Sequence, residues 1–187
     1  MGKRRSVIHL GQINKNSVPD NIWETPTDNR FEKNAHPLHT FKDACKKFRI
    51  TPKIDVCAEA SNSKCEKFFS VEQDGLKQEW REDFYGNFPY SEVAKWIEKA
   101  YVQHLKWNVN GLILCFSKTE TKWWHRYVSK AEVHFVEKRI NFWKTCKNCG
   151  KGHIPLISTK KNPKPHYCPA PYPSCWLIFR RCENNAL

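Results

Sequence analysis

The chain has 187 residues, of which 32 are lysine or arginine and 19 are aspartate or glutamate, so its formal charge at neutral pH is +13. This length suits one domain with a core of its own. No apolar run approaches the roughly 20 residues that a membrane-spanning helix needs, and no apolar signal-peptide core follows Met1 to Arg5, which predicts a cytoplasmic protein without a membrane partner. Because the positive charge is spread along the chain, we expect a polyanionic partner, most commonly nucleic acid.

The first third of the chain contains a predicted arm, one helix and two strands. Residues 1–20 are polar and basic without periodicity, which predicts a flexible arm ahead of one domain over 21–187. Apolar residues at helical spacing predict a helix over 37–49. Two short apolar runs, Ile54 to Ala58 and Lys67 to Val71, predict strands.

The middle of the chain carries the clearest helix and the clearest strand. Asp74-Gly75 is a turn signal, and Ser91 is suited to cap the helix that follows it. The apolar positions of this helix predict one buried face: Val93, Trp96, Ile97, Ala100, Tyr101 and Leu105. Gly111 to Phe116 is a continuous apolar run, which is typical of a strand buried on both faces.

The last third adds a short helix and three strands: Thr121 to Val128, then Val133 to Glu137, Ile140 to Trp143 and Cys175 to Phe179. Alternating short strands and helices predict an α/β layer fold with a mainly parallel sheet. No helix separates the last two strands, so we expect them to pair antiparallel across an insertion. In open sheets of this class ligands bind at the carboxyl ends of the parallel strands, where both Asp55 and Asn87 are predicted to lie.

The tetrapeptide Asn87-Phe88-Pro89-Tyr90 stands where a predicted strand gives way to the helix after Ser91. The side-chain oxygen of Asn87 and the main-chain carbonyl of Phe88 can both accept a hydrogen bond from one NH2 group. The ring of Tyr90 can stack on the base that carries this amine. The segment therefore suggests a grip for the exocyclic amine of a nucleobase, although the same residues also suit an ordinary strand-to-helix turn.

Residues 144–174 form a basic, cysteine-rich insertion, and the odd total of nine cysteines favours reduced thiols and metal ligands over disulfides. Cys146 and Cys149 have the two-residue spacing and trailing glycine of a zinc knuckle. The predicted ligands of a structural zinc are Cys146, Cys149, Cys168 and Cys175, with His153 or His166 as alternatives. A hairpin that joins strands ending near Trp143 and beginning near Trp176 would bring Cys146 and Cys175 together. Cysteines without metal in a loop are the other interpretation, and a zinc-bound loop could contact DNA or only stiffen the hairpin.

Taken together, these segments resemble the phage-type DNA N6-adenine methyltransferase family. The matching segments run in the family's order: Trp23-Glu24-Thr25-Pro26, Asp55 to Asn62 with Lys64-Cys65, Asp74-Gly75-Leu76 with Trp80, Asn87 to Ser91, Trp96-Ile97, Thr119 to His125, Arg139 to Phe142 and Pro173-Ser174. They cover about residues 22–143 and 172–180, and the insertion is an addition to them. One departure stands out. The family usually has two prolines after the Asn or Asp of its motif, and Phe88 replaces the first, which places a bulky ring where the base should enter.

The resemblance implies a Rossmann-like methyltransferase fold, S-adenosylmethionine as the methyl donor and DNA as the partner. It implies that Trp23, Thr25 and Pro26 close over the cofactor. Asp55 would lie beside the methionine or ribose part of the cofactor, and Asp74 would contact the adenosine. Asn87, Phe88, Pro89 and Tyr90 would form the catalytic motif, and residues 121–125 would lie near the substrate rim.

We therefore predict an enzyme of a virus or mobile element that transfers a methyl group to adenine N6, with double-stranded DNA as the preferred substrate. One alternative is a sister enzyme that acts on cytosine N4 or on RNA. The other is a zinc-bearing nucleic-acid binder that has lost its activity through Phe88. Methyl transfer to an amine needs no covalent nucleophile, so Cys57 and Cys115 are predicted to be packing thiols.

Overall fold

The computed structural model describes residues 38–140, 142, 170 and 172–182 in full, and the backbone also at 23–24, 143–145, 152–153, 157–159 and 162–166. The strands in chain order are β1 (Trp23–Glu24), β2 (Ile54–Asp55), β3 (Lys67–Phe68), β4 (Phe84–Asn87), β5 (Gly111–Phe116), β6 (Glu132–Phe135), β7 (Trp143–Thr145), β8 (Gly152–His153), β9 (Ile157–Thr159), β10 (Asn162–His166) and β11 (Ser174–Phe179). The helices are α1 (Phe41–Phe48), α2 (Val93–Trp107) and α3 (Lys122–Tyr127), and a 3-10 turn follows at Val128–Lys130. None of the helices in the part of the chain described is long and apolar enough to cross a membrane.

A six-stranded sheet with the order β3-β2-β4-β5-β11-β6 forms the centre of the fold. The first four of these strands pair in parallel. β11 lies between β5 and β6 and runs antiparallel to both. The prediction of an α/β fold with a mainly parallel sheet and an antiparallel last strand is confirmed.

The sheet carries a hydrophobic cluster on each side. On one side, which we call the α1 face, Ala44 of α1 packs with strand residues such as Tyr85 and Leu114. On the other side, the α2 face, Ile97 of α2 packs with residues such as Ile113. Side chains alternate along a strand, so β5 and β11, which are buried at all six positions, contribute to both clusters.

Helix α1 lies within the predicted range of 37–49 but begins at Phe41. The hydroxyl of Thr40 accepts a hydrogen bond from the amide of Asp43 at 3.1 Å, which caps the helix. Leu38 has a φ of 69°, so the backbone ahead of Thr40 is not helical. Arg49, with a φ of 54°, ends the helix in the left-handed conformation.

Helix α2 differs from its prediction at both ends. Ser91 does not cap it. The helix begins at Val93, its N-cap residue is Glu92, and no side chain caps it. Leu105 is 59% exposed rather than buried. It lies five residues after Ala100, and this spacing turns it away from the sheet. His104 takes its place on the buried side, and its Nδ1 lies 2.8 Å from the carbonyl oxygen of Val109.

The pairing predicted for the last two strands is wrong. The strand expected at Ile140 to Trp143 begins only at Trp143, as β7, and it pairs with β1 and β8 instead of β11. Ile140 is buried in the α1-face cluster, and its carbonyl accepts a hydrogen bond from the amide of Ala170 at 2.8 Å. The chain therefore passes along the core here before it enters a small antiparallel sheet, β1-β7-β8. A separate pair, β9 and β10, follows.

Candidate active site

Two polar side chains stand at the carboxyl edge of the parallel strands. Asp55 ends β2 and pairs with Tyr85, whereas Asn87 ends β4 and pairs with Leu114. Tyr85 and Leu114 both belong to the α1-face cluster, and paired residues of neighbouring strands share a face. Asp55 and Asn87 therefore project from the α1 face of adjacent strands, offset by about 7 Å along the strand direction.

Asp55 is only 2% exposed. Its Oδ2 accepts a hydrogen bond from the amide of Lys64 at 3.0 Å, and its Oδ1 accepts one from the amide of Cys57 at 3.4 Å. Burial outweighs these hydrogen bonds and raises the pKa of Asp55 to about 6. A positively charged group placed beside this carboxylate would be strongly favoured, because it would offset the cost of burying the charge.

Asp74 lies in a turn that packs directly against the end of β2. The residue has a φ of 54°, and its Oδ1 accepts a hydrogen bond from the amide of Leu76 at 3.2 Å. A Cβ atom at Gly75 would lie 2.1 Å from the carbonyl oxygen of Val56, so only glycine allows this approach. The indole of Trp80 donates to the Gly75 carbonyl at 2.9 Å and holds the turn in place. The structure thus brings Asp74 to the edge that carries Asp55.

Phe88 points away from Asn87. Its ring is 2% exposed and lies in the α2-face cluster, where its centroid is 5.1 Å from that of Trp96 and the two planes differ by 16°. A Cβ atom at Gly86 would lie 2.3 Å from the Phe88 ring, so a glycine two residues earlier makes room for it. The expectation that this ring stands where the base should enter is wrong. Consecutive residues leave β4 on opposite sides, and only the backbone of Phe88 remains beside Asn87.

Tyr90 returns to the side of the sheet that carries Asn87. Its ring stacks on Phe116 at the end of β5, with centroids 3.7 Å apart and planes 16° apart. Phe116 is buried in the α1-face cluster. Sequence reasoning missed this supporting role of Phe116, although its place as the last residue of an apolar run beside the Asn87 strand is a usable signal.

The segment after β5 divides between core and surface. Trp123 and Trp124 are half-buried and pack against the α2-face cluster, whereas His125 is exposed. The hydroxyl of Thr121 donates to the carbonyl of Lys118 at 2.7 Å and holds the turn between β5 and α3. The predicted role of residues 121–125 at the substrate rim stays a prediction.

The cysteines of the central sheet have the environment of packing thiols. Burial raises the pKa of Cys57 to about 12. The contact with the Cys175 thiol, together with burial, raises the pKa of Cys115 well above its ordinary value. The sulfur of Cys115 lies 3.7 Å from that of Cys175, and both residues belong to the α2-face cluster. Neutral buried thiols of this kind are poor nucleophiles.

This position does not suit Cys175 as a zinc ligand. The residue is fully buried in β11, and the hairpin that was expected to bring it to Cys146 does not form, because β7 pairs with β1 and β8. Cys146, Cys149 and Cys168 lie outside the residues that the structure describes. Within 38–140 and the other described segments, no three metal-binding side chains form a cluster, so zinc stays a prediction.

The predicted cofactor-closing segment is described only in part. Trp23 and Glu24 form β1, which pairs with Lys144 and Trp143 of β7. The side chain of Trp23, and Thr25 and Pro26 as a whole, lie outside the described residues. The role of these three residues at the cofactor stays a prediction.

Comparison with known proteins assigns this arrangement to a family. Residues 20–182 match the model of the family described as "DNA N-6-adenine-methyltransferase (Dam)". The chain belongs to this Dam family. A relative named DNA N-6-adenine-methyltransferase, from Haemophilus phage HP1 (strain HP1c1), is 30% identical over 111 residues, which are 58% of this chain and 64% of the relative. The match to this phage protein therefore spans somewhat less than two thirds of its length.

Proposed function

We propose that this Dam-family chain transfers a methyl group from S-adenosylmethionine to N6 of adenine in double-stranded DNA. The observation that carries the proposal is the sharing of one face and one sheet edge by Asp55, Asn87 and Tyr90. A site for a charged cofactor and a site for a flat base are then neighbours, as direct transfer between the two requires.

The chemical task of the Asn87 segment is to activate a poor nucleophile. The lone pair of an exocyclic amine is delocalised into the ring, and two acceptors on its hydrogens localise the lone pair on nitrogen. The Asn87 side-chain oxygen and the Phe88 carbonyl suit this task, since β4 and the buried Phe88 ring hold the segment between them. Acceptors that are fixed in advance favour the transition state without reorganising during the reaction.

The residues around Asp55 fit the proposed cofactor. S-adenosylmethionine supplies an activated methyl group on a positively charged sulfur, and it also carries an amino group and ribose hydroxyls. The buried Asp55 carboxylate favours such a cation or hydroxyl donor, and Asp74 adds a second acid at the same edge. A cofactor without phosphate needs no glycine-rich phosphate loop, and the sequence after Asp55 contains none.

Tyr90 supports the base on the same face. In duplex DNA the target adenine must leave the base stack to reach such a site, which costs stacking energy. Phe116 covers one side of the Tyr90 ring at 3.7 Å and thereby fixes its plane. A flat adenine can then stack on the tyrosine and recover part of the lost energy.

The experiment that tests the proposal is expression in a methylation-deficient host, followed by mass spectrometry of nucleosides from its DNA and RNA. We expect N6-methyladenine in DNA. N4-methylcytosine alone, or modified RNA alone, would point to one of the sister activities. Binding of S-adenosylmethionine by calorimetry tests the non-catalytic alternative, because a binder that has lost the activity and its cofactor gives no signal.

A structural zinc is a separate proposal for the insertion. β7 and β8 pair antiparallel directly before Cys146 and after Cys149, which is the setting of a hairpin knuckle. Since Cys175 is buried in the central sheet, we propose Cys146, Cys149 and Cys168 as thiolate ligands. His153 of β8 or His166 of β10 would supply the fourth ligand.

A further inference from the structure

An exposed tyrosine, Tyr172, is separated from Tyr90 by the ring of Phe116, at the sheet edge that carries Asp55 and Asn87. Tyr172 is 46% exposed and precedes β11, where its ring centroid is 5.4 Å from that of Phe116. Phe116 stacks on Tyr90 in turn, so it contacts both tyrosines. Phe116 and Tyr90 belong to the cluster on the α1 side of the sheet, which also carries Asn87 and Asp55, and Tyr172 adjoins this cluster through Phe116.

A lysine is held against this tyrosine. The Nζ of Lys118 lies 3.6 Å from the centroid of the Tyr172 ring, within the range of a cation–π contact. A backbone hydrogen bond joins the residues next to them, because the amide of Ser117 donates to the carbonyl of Pro173 at 2.9 Å. Thr121 also holds the Lys118 carbonyl at 2.7 Å. An exposed ring and an ammonium group are thus presented together by the ends of β5 and β11.

We propose that Tyr172 and Lys118 form a second nucleic-acid contact, which holds the nucleotide next to the target adenine. This inference rests on the proposed function, because it takes Asn87 and Tyr90 as the site of the target base. Phe116 separates Tyr172 from Tyr90, so Tyr172 is suited to a neighbouring nucleotide rather than to the same base. The exposed part of the ring stacks on a base or sugar, and the ammonium group of Lys118 pairs with the adjacent phosphate.

Charge supports DNA as the occupant of this surface. The chain carries a formal charge of +13, and an exposed aromatic ring beside a cation is the pattern with which proteins hold unpaired nucleotides. Flipping one base out of a duplex leaves its neighbour partly unstacked. A tyrosine beside the catalytic motif can replace that lost contact.

The chain offers matched controls for both residues. Phe135 is another exposed aromatic residue, at 62% exposure, but its pairing with Cys175 places it on the α2 face. Lys130 also lies over a tyrosine, 4.8 Å from the Tyr101 ring, just before β6 begins. β11 is antiparallel to both β5 and β6, so β6 runs parallel to β5. Its first residue therefore lies at the opposite edge of the sheet from Asp55 and Asn87. Phe135→Ala therefore removes an exposed aromatic ring, as Tyr172→Ala does, and Lys130→Ala removes a lysine beside a tyrosine, as Lys118→Ala does. Both control changes lie away from the proposed contact.

The test measures binding of sheared, unmethylated genomic DNA and the KM for the same DNA, in wild type and each variant. We expect Tyr172→Ala to weaken binding and raise KM by about tenfold, as for the loss of one stacked base, and Tyr172→Phe to restore both. Affinity falls as salt rises, and we expect Lys118→Ala to make the slope of log affinity against log salt less steep by about one, as for one lost phosphate contact. S-adenosylmethionine affinity and the thermal midpoint should stay unchanged, and both control variants should behave as wild type.

The outcomes separate this inference from the proposed function. Unchanged DNA binding and KM in Tyr172→Ala, in a wild type that methylates DNA, would overturn the second contact alone. Equal losses in the Phe135→Ala and Lys130→Ala variants would overturn it as well, because the effect would then not be specific to Tyr172 and Lys118. If the variants differ from wild type in DNA binding as predicted but wild type methylates nothing, the proposed function is refuted, and Tyr172 and Lys118 remain only as a DNA contact without a target adenine.

Discussion

The ring of Phe88 lies almost parallel to the indole of Trp96, with their centroids 5.1 Å apart. The residue that departs from the family's usual motif thus anchors the candidate catalytic segment to α2 behind the sheet. A proline at this position would stiffen the segment through its own ring. Here the stiffness comes from a side chain that is buried among aromatic residues.

The pairing of Gly86 with Phe88 predicts a destabilising Gly86→Ala substitution. The new Cβ atom would lie 2.3 Å from the Phe88 ring, and relieving this overlap should cost about 1–3 kcal/mol of unfolding free energy. The measurement is urea unfolding monitored by tryptophan fluorescence. Gly86→Ala in a Phe88→Leu background is the matched control, in which the smaller side chain should lessen the added cost. An equal cost in both backgrounds would show that the two residues are not coupled.

Asn87→Ala should abolish most of the activity and leave the cofactor site intact. Loss of one positioned acceptor typically lowers turnover by about 100-fold or more. Asn87→Asp keeps an acceptor oxygen and should retain more of the activity than the alanine variant. Methyl incorporation into DNA gives the rate, and calorimetry gives the affinity for S-adenosylmethionine. Unchanged turnover in Asn87→Ala would remove this residue from the mechanism.

Binding of S-adenosylmethionine should depend on the charge of Asp55. A cation beside this carboxylate favours its ionised form, so binding lowers the raised pKa of about 6. Above this pH the affinity should be constant, and below it the affinity should fall by up to about tenfold per pH unit. Calorimetry at several pH values measures this dependence. The Asp55→Asn variant should bind weakly at every pH, and a flat profile in wild type would contradict the assignment.

The same carboxyl group should make the unliganded protein less stable as the pH rises. The pKa of Asp55 is near 3.8 when unfolded and about 6 when folded, so between these values the folded state binds more protons. Its contribution to stability is therefore greatest below about pH 4 and is lost as the pH passes 6, by up to about 3 kcal/mol. Unfolding by urea at both ends of this window should show a larger decrease in wild type than in Asp55→Asn. An equal decrease would mean that Asp55 titrates normally.

The zinc proposal predicts different effects for two cysteines. Elemental analysis of the purified wild type should find about one zinc per chain. Cys146→Ser should lose this metal, whereas Cys175→Ala should keep it, because Cys175 is buried beside Cys115 in the central sheet. Absence of zinc from the wild type, or its loss from Cys175→Ala, would refute this ligand set.

Local sequence patterns were sufficient for much of the fold. β5 was predicted at its observed bounds because six consecutive apolar residues suit only a strand that is covered on both sides. The place of β11 could not be predicted in the same way, since its pairing with β5 and β6 depends on contacts between distant parts of the chain. The assignment of Cys175 to zinc failed for this reason, because cysteine spacing alone carries no information on which strand becomes the partner.

The sequence predicted the site residues whose position follows from the order of the strands. It did not predict the features that depend on the direction of a side chain. Asp55 and Asn87 were placed at one edge because parallel strands end there, and the structure brings them to one face. The direction of Phe88 was missed, although alternation along β4 turns it away from Asn87. Tyr172 and Lys118 were also missed, because nothing in their local sequence indicates that they meet across two strands.

The alternation of Asn87 and Phe88 has a consequence for how this protein can change over time. The side chain of Asn87 lies on the face of the candidate site, whereas that of Phe88 lies in the core behind the sheet. Two neighbouring positions of one short motif therefore serve the proposed chemistry and the packing separately. Exchange of Phe88 for another bulky apolar residue should therefore change the thermal midpoint more than the choice of base that the proposed function assigns to the Asn87 side.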